Sequence, residues 1–214
     1  MKISLFISAL LLLLISSMAA ADQTLLIDDF EHGLSPIWSV KSFVGQTDYQ
    51  VVADGPTQVL QAQSNGTASA LIYQTEFMLA DYPVVSWRWK IAGVVEKGDA
   101  ASKQTDDYAA RVYIIFPHWF YPKTRSLNYI WANRLEKEKI VPNPFTSNAM
   151  MIAVESGPQN AGEWQTVRRN IAADFRRAFG ENPPKKMLIA IMTDTDNTGS
   201  RASAWYDDIR LEKE

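Results

Sequence analysis

Val85-Ser86-Trp87-Arg88-Trp89-Lys90-Ile91 alternates strictly, with apolar residues at the odd positions and polar residues at the even ones. Successive side chains of a strand point to opposite faces. This period therefore buries Val85, Trp87, Trp89 and Ile91 and presents Ser86, Arg88 and Lys90 on the other side. Two indoles on one face need a second layer to cover them. The segment predicts one strand of a β-sandwich.

The chain on either side repeats the pattern. Downstream, Ala109 to Phe116 turns Val112, Ile114 and Phe116 inward, with Arg111 and Tyr113 on the opposite face. Leu127 to Trp131, Ala149 to Val154 and Gln165 to Ile171 read as further strands. The apolar run Met187 to Met192 and the alternating stretch Ala204 to Leu211 read as the closing strand pair. In that last strand Trp205, Asp207 and Ile209 are expected to face one way, and Tyr206, Asp208 and Arg210 the other. Upstream strands are expected at Leu25–Glu31, Ile37–Phe43, Tyr49–Ala53, Val59–Ala62 and Ala70–Phe77, with Ser64-Asn65-Gly66 as a hairpin turn. Arg134 to Lys139 is read as one helical turn, stopped by Pro142 and Pro144. A short helix is expected near 171–179: Asn170 caps it, Phe175 and Phe179 stack at a four-residue interval, and Gly180 ends it. About a dozen short strands and one helix predict a mainly all-β chain, an antiparallel β-sandwich of jelly-roll type. No repeat or linker divides residues 22–214, which read as a single domain.

Residues 1–21 read as a signal peptide: Lys2, an apolar core from Leu5 to Ile15, then small residues from Ser16 to Ala21. That core is short for a bilayer, so no membrane span is expected after cleavage. The chain has no cysteine, which excludes a disulfide framework and a lipoprotein anchor. The expected location is periplasmic or secreted. A net charge of −3 without a basic block argues against nucleic acid as a partner. Seven Trp and eight Tyr stand against two His, a skew that suits aromatic cores and stacking on sugar rings.

Several segments together carry a family likeness: Ala110-Arg-Val-Tyr-Ile-Ile-Phe116, Leu127-Asn-Tyr-Ile-Trp131, Asn143-Pro-Phe145, Asp174-Phe-Arg-Arg-Ala-Phe-Gly180, Met192-Thr-Asp-Thr-Asp-Asn-Thr-Gly199 and Ala204-Trp-Tyr-Asp-Asp-Ile209. The chain resembles the domain-of-unknown-function family numbered 3047, exported bacterial proteins without an assigned activity. The resemblance implies a location and a domain extent but no mechanism. The layout of Asp29-Phe30-Glu31, the central Trp-Arg-Trp strand and the terminal Tyr-Asp-Asp-Ile-Arg-Leu strand is also similar to carbohydrate-binding jelly-roll modules. That resemblance implies a structural calcium ion shared by the first and last strands, with Glu31 and Asp207 or Asp208 as ligands.

The residues themselves suggest a second route to calcium. Asp194-Thr-Asp196-Asn-Thr-Gly199 begins like a calcium loop, with acids at positions one and three and glycine at six. Position five is Thr198 and position twelve Trp205, so the loop is not an EF-hand. Asp194 and Asp196 are candidate metal ligands, with Asp207 or another strand's carboxylate completing the shell. The alternative is a turn whose side chains bond to nearby backbone.

Arg88, Lys90, Arg111 and Tyr113 lie on the non-core faces of two strands read as neighbours. With Asp107, Asn128, Trp131, Arg168 and Asp194 they form a candidate ligand face for a glycan, since guanidinium groups recognise carboxylates in bidentate fashion. The alternative is a solvated face with cross-strand ion pairs, such as Arg111 with Asp107 or Asp194. Trp119, Phe120 and Tyr121 form an aromatic loop, either exposed or folded back as a lid. No Gly-x-Ser-x-Gly elbow or His-Glu-x-x-His motif is present. A glycoside hydrolase would need a carboxylate pair, for which Asp107 with Asp194 or Glu155 with Asp174 are the candidates. A lyase would use Tyr113 as base beside Arg111 or Arg168. The sequence favours a non-catalytic binding protein for a glycan or another cell-envelope component. A polysaccharide-acting enzyme and a structural envelope protein are the alternatives.

Overall fold

The computed structural model describes residues 24–213. The signal peptide expected over residues 1–21 lies outside the described residues. Thirteen strands run through the described chain: β1 (Thr24–Asp28), β2 (Trp38–Val44), β3 (Asp48–Asp54), β4 (Thr57–Asn65), β5 (Ala68–Met78), β6 (Val84–Ile91), β7 (Tyr108–Phe116), β8 (Arg125–Ala132), β9 (Ile140–Asn143), β10 (Thr146–Ser156), β11 (Gln165–Asn170), β12 (Lys186–Asp194) and β13 (Arg201–Glu212). One helix, α1 (Ile171–Phe179), follows β11, and short 3-10 turns sit at Lys103–Thr105 and Tyr121–Lys123. A six-stranded sheet has the order β11-β6-β13-β4-β3, and β1 continues the β4 edge of β13. A seven-stranded sheet has the order β2-β5-β12-β7-β8-β10-β9.

The alternation read from Val85 to Ile91 holds. Trp87 and Trp89 face the other sheet, edge to face at 5.3 Å between ring centroids. Trp87 meets Tyr129 at 5.4 Å and Trp89 meets Trp131 at 5.9 Å, so an aromatic column joins β6 to β8 through the core. Val112, Ile114 and Phe116 of β7 and Met187, Ile189 and Ile191 of β12 fill the same layer. The helix forms where expected. Asn170 accepts from the Ala173 N–H at 2.8 Å, and Gly180 takes the left-handed conformation, φ 70°. Phe175 inserts against Phe116 at 4.8 Å, while the Arg169 fork and the Tyr129 hydroxyl hold Asp174 beneath.

The sandwich departs from the sequence reading in six places. β8 and β10 pair in parallel, because β9 carries the chain back before β10 begins; the other pairings are antiparallel. β9 itself went unpredicted, since Pro142 reads as a breaker; it is an edge strand, where a missing N–H is tolerated. Arg134 to Lys139 is irregular, not helical. Ser64-Asn65-Gly66 is not a hairpin turn: β4 and β5 belong to different sheets, and the turn crosses between them. For the same reason β12 and β13 do not pair, and the 195–200 loop is a second crossover. Finally, β13 carries a bulge at Asp208, φ 49°. The extra residue shifts the phase, so Tyr206 and Ile209 both face the core and Asp207 faces outward with Arg88.

Candidate functional site

The two crossovers meet at one end of the sandwich and are tied together by hydroxyls. Thr195 Oγ1 lies 2.7 Å from Ser64 Oγ and accepts from the Gly66 N–H at 2.9 Å, while the Thr195 N–H donates to the Thr67 carbonyl. Asp107, at the start of β7, reaches into the second crossover. Its carboxylate accepts the Asn197 N–H at 3.2 Å and the Thr198 N–H at 2.6 Å. The loop Asp194 to Gly199 is therefore shaped by a carboxylate from the residue before β7, and Gly199 closes it at φ 62°.

Beside this loop Arg111 organises a buried ionic web. Its Nε donates to Asp194 Oδ1 at 2.8 Å and one terminal nitrogen to Oδ2. The same nitrogen donates to the Asp106 carbonyl, and the other to the Tyr113 hydroxyl at 3.3 Å. The guanidinium also lies over the Tyr108 ring at 4.3 Å. Asn143 steadies Asp106 through a 2.7 Å bond. Burial pushes the Asp194 carboxyl up to about 8; Arg111 opposes the rise, and the Asp106 and Asp107 carboxylates add to it. Burial and Asp107 raise Asp196 in the same direction. Oxygens of Asp107, Asp194 and Asp196 lie within 4.8 Å of one another, a spacing compatible with one hard cation. A cation there would offset the mutual repulsion of the three carboxylates, which Arg111 relieves only on the Asp194 side.

The expected site residues separate into several places. Arg111, Tyr113, Asn128 and Asp194 lie on the outer side of the seven-stranded sheet, where Tyr113 faces Asn128 across the β7–β8 ladder. Asp107 sits at the edge of that group. Arg88 and Arg168 do not join it, because β6 and β11 belong to the other sheet. Arg88 pairs with Asp207 and stacks on Trp164 at 4.7 Å, and Arg168 binds Glu212 at 2.8 Å. Trp131 is not on a ligand face either: it points into the core, its Nε1–H donating to the Gly157 carbonyl. Glu31 is apart from the acidic loop, at the turn where Gln58 donates to it, and Asp207 is held by Arg88. Neither belongs to the carboxylate cluster with Asp194 and Asp196.

Two chemical expectations change with this geometry. Arg111 has its fork closed on Asp194, so it does not present a free guanidinium to a ligand carboxylate. Burial holds the Tyr113 hydroxyl above its ordinary range, the opposite of what a base requires. Of the second carboxylate pair, Glu155 binds Lys137 and Asp174 binds Arg169.

An open groove of about 670 Å³ lies on the outer face of the seven-stranded sheet. Its floor is a ladder of small and aliphatic side chains: Ala70 faces Met192, Ile72 faces Ala190, and Leu188 faces Ile115. Small residues on the central strands flanked by larger ones make the face concave. Phe43 and Lys41 of β2 form one wall, and the 117–124 loop forms another. Tyr113 is the one expected ligand residue lining the groove. The sequence signal for the rest was Met187 to Met192, apolar on both faces. A strand covered on one side only should be polar on the other.

The chain belongs to the family described as "Protein of unknown function (DUF3047)", whose model matches residues 36–210. A search of the curated proteins finds no match. Among solved structures, the family 30 carbohydrate-binding module of a cellulosomal cellulase of Clostridium thermocellum is similar, at 13% identity and a TM-score of 0.45, over 83% of this chain and 92% of that one. A non-crystalline cellulose specific carbohydrate-binding module of family 28 shares 15% identity, with a TM-score of 0.43 over 86% of this chain and 92% of that one. A Lotus tetragonolobus seed lectin shares 11% identity, with a TM-score of 0.43 over 84% of this chain and 96% of that one. Among the described residues no helix is long and apolar enough to cross a membrane.

Proposed function

We propose that this chain is an exported, non-catalytic binding protein of the cell envelope, working in the periplasm or outside the cell. Its ligand is a glycan or another envelope component, held in the groove of the seven-stranded sheet. The observation that carries the reading is the groove itself. A concave, largely apolar hollow of about 670 Å³ has the size and character of small-molecule sites in general. Tyr121 and Phe43 stand at its wall with Lys41 between their rings, 5.1 and 5.5 Å from the two centroids. The reactive groups near it are engaged elsewhere, which supports binding over catalysis.

The acidic end supports the scaffold. Asp107, Asp194 and Asp196 would hold a structural calcium ion, which would neutralise the crowded carboxylates and fix the crossover between the sheets.

The reading is tested by passing fractionated cell-envelope material over immobilised protein and over an Ala149→Trp variant, which fills the groove. Retention by the native protein and loss in a folded variant is the expected result. Equal retention by both would place the ligand elsewhere and overturn the assignment.

A further inference from the structure

The groove's floor and rim differ in a way that specifies a ligand class. The floor offers Ala70, Ile72, Ile115, Leu188, Ala190 and Met192, none of which forms a strong hydrogen bond with a sugar hydroxyl. Polar side chains around it are already engaged within the protein. Asn148 Nδ2 donates to the Pro122 carbonyl at 2.7 Å, and Ser126 Oγ to Asn128 at 3.2 Å. Thr124 Oγ1 accepts from the His118 N–H at 3.3 Å, and the Tyr113 hydroxyl lies between Arg111 and Met192. A sugar laid along that floor would turn hydroxyls toward side chains that offer them no bond, which is costly once water is excluded. A methylene chain would lose nothing and gain burial.

The charge on the rim has one sign. No carboxylate lines the groove, while Lys41 does. A second hollow of about 450 Å³ adjoins it through Pro117, His118 and Asn148, and is lined by Lys123, Arg125 and Glu181. Arg125 is paired with Glu181, but Lys41 and Lys123 form no ion pair among the described residues. Between the hollows the 117–124 loop projects its aromatic tip: Trp119 is 92% exposed, Tyr121 69% and Phe120 48%. An exposed tryptophan and phenylalanine flanked by lysine is the side-chain set that enters a lipid headgroup layer.

Resting on the reading of the groove as the ligand site, we infer that its occupant is an anionic acyl lipid. The chain lies along the Ala190 floor, the anionic head meets Lys41 and Lys123, and the Trp119 tip touches the membrane from which the lipid comes.

The test displaces a fluorescent fatty acid from the purified protein with palmitate, with hexadecanol and with a mixture of neutral and acidic oligosaccharides. Palmitate should displace the probe at least about tenfold more tightly than hexadecanol, the equivalent of one charge-assisted contact. The preference should disappear in Lys41→Ala/Lys123→Ala, whose exposed positions spare the fold, and all binding should be lost in Ala149→Trp. Vesicles of phosphatidylglycerol should bind the native protein and not Trp119→Ser/Phe120→Ser. Equal displacement by hexadecanol, or unchanged vesicle binding by the tip variant, would overturn the inference. Displacement by oligosaccharide alone would overturn it while leaving the binding-protein reading standing. A native protein that binds none of the probes, nor any envelope fraction, would sink both.

Discussion

Arg111 closes on Asp194 from the adjacent strand: Nε donates to Oδ1 at 2.8 Å, a terminal nitrogen reaches Oδ2, and both side chains are almost wholly buried. Breaking a buried pair from one side leaves the other charge without its partner. Arg111→Met should therefore cost about 3–5 kcal/mol in denaturant unfolding. Adding Asp194→Asn should recover part of that loss. A double variant no more stable than Arg111→Met would mean that the pair is not the unit of stability.

The carboxylate cluster predicts a response to metal. Calcium should raise the melting temperature of the native protein, and chelator should lower it to the metal-free value. Asp196→Ala should abolish the shift, because Asp196 is the most exposed member of the cluster and carries no ion pair to lose among the described residues. An identical melting curve in excess calcium and in chelator would contradict the metal assignment.

Gly98 is fixed by close approach. A Cβ there would meet Asn133 Nδ2 at 2.1 Å and the Asp107 carbonyl at 2.7 Å. Asn133 bonds the same carbonyl at 2.7 Å and accepts the Val95 N–H at 2.8 Å, so it cannot withdraw without loss. Gly98→Ala should destabilise the fold by about 1–3 kcal/mol and perturb the amide signals of Asn197 and Thr198, which Asp107 holds. Native stability in this variant would show that the loop yields freely.

On the other sheet, Asp54 accepts from Lys90 Nζ at 3.0 Å and from Trp164 Nε1 at 2.7 Å, and these bonds lower its pKa below the usual carboxylate range. A depressed folded pKa contributes stability that is present above the unfolded value and lost as pH falls through the folded one. Asp54→Asn should melt lower than native at neutral pH, and the gap should close in acid below the ordinary aspartate range. A gap that persists there would assign the loss to packing around Trp164, not to charge.

Much of the sandwich was legible because its strands alternate. Val85 to Ile91 and Ala109 to Phe116 declared their inner faces through a period of two, and α1 declared its ends through Asn170 and Gly180. Sheet membership was not legible. A turn such as Ser64-Asn65-Gly66 has the same residues whether it joins partners or crosses layers, and the choice depends on contacts distant in sequence. That single ambiguity misplaced Arg88 beside Arg111, because strands alike in pattern were read as neighbours. The bulge at Asp208 was equally hidden, since a positive φ at aspartate leaves no mark in a run of alternating residues. The groove was visible only as an excess: Leu188, Ala190 and Met192 are apolar on a face that should be wet.

The groove as ligand site is tested most directly by mapping amide chemical shifts while envelope lipid and glycan extracts are titrated into the protein. The account predicts that the perturbed amides cluster at Ala70, Ile72, Ile115, Leu188 and Ala190, on the outer face of the seven-stranded sheet. Perturbations centred on Trp164 and Trp205, on the outer face of the six-stranded sheet, or none at saturating extract, would contradict it.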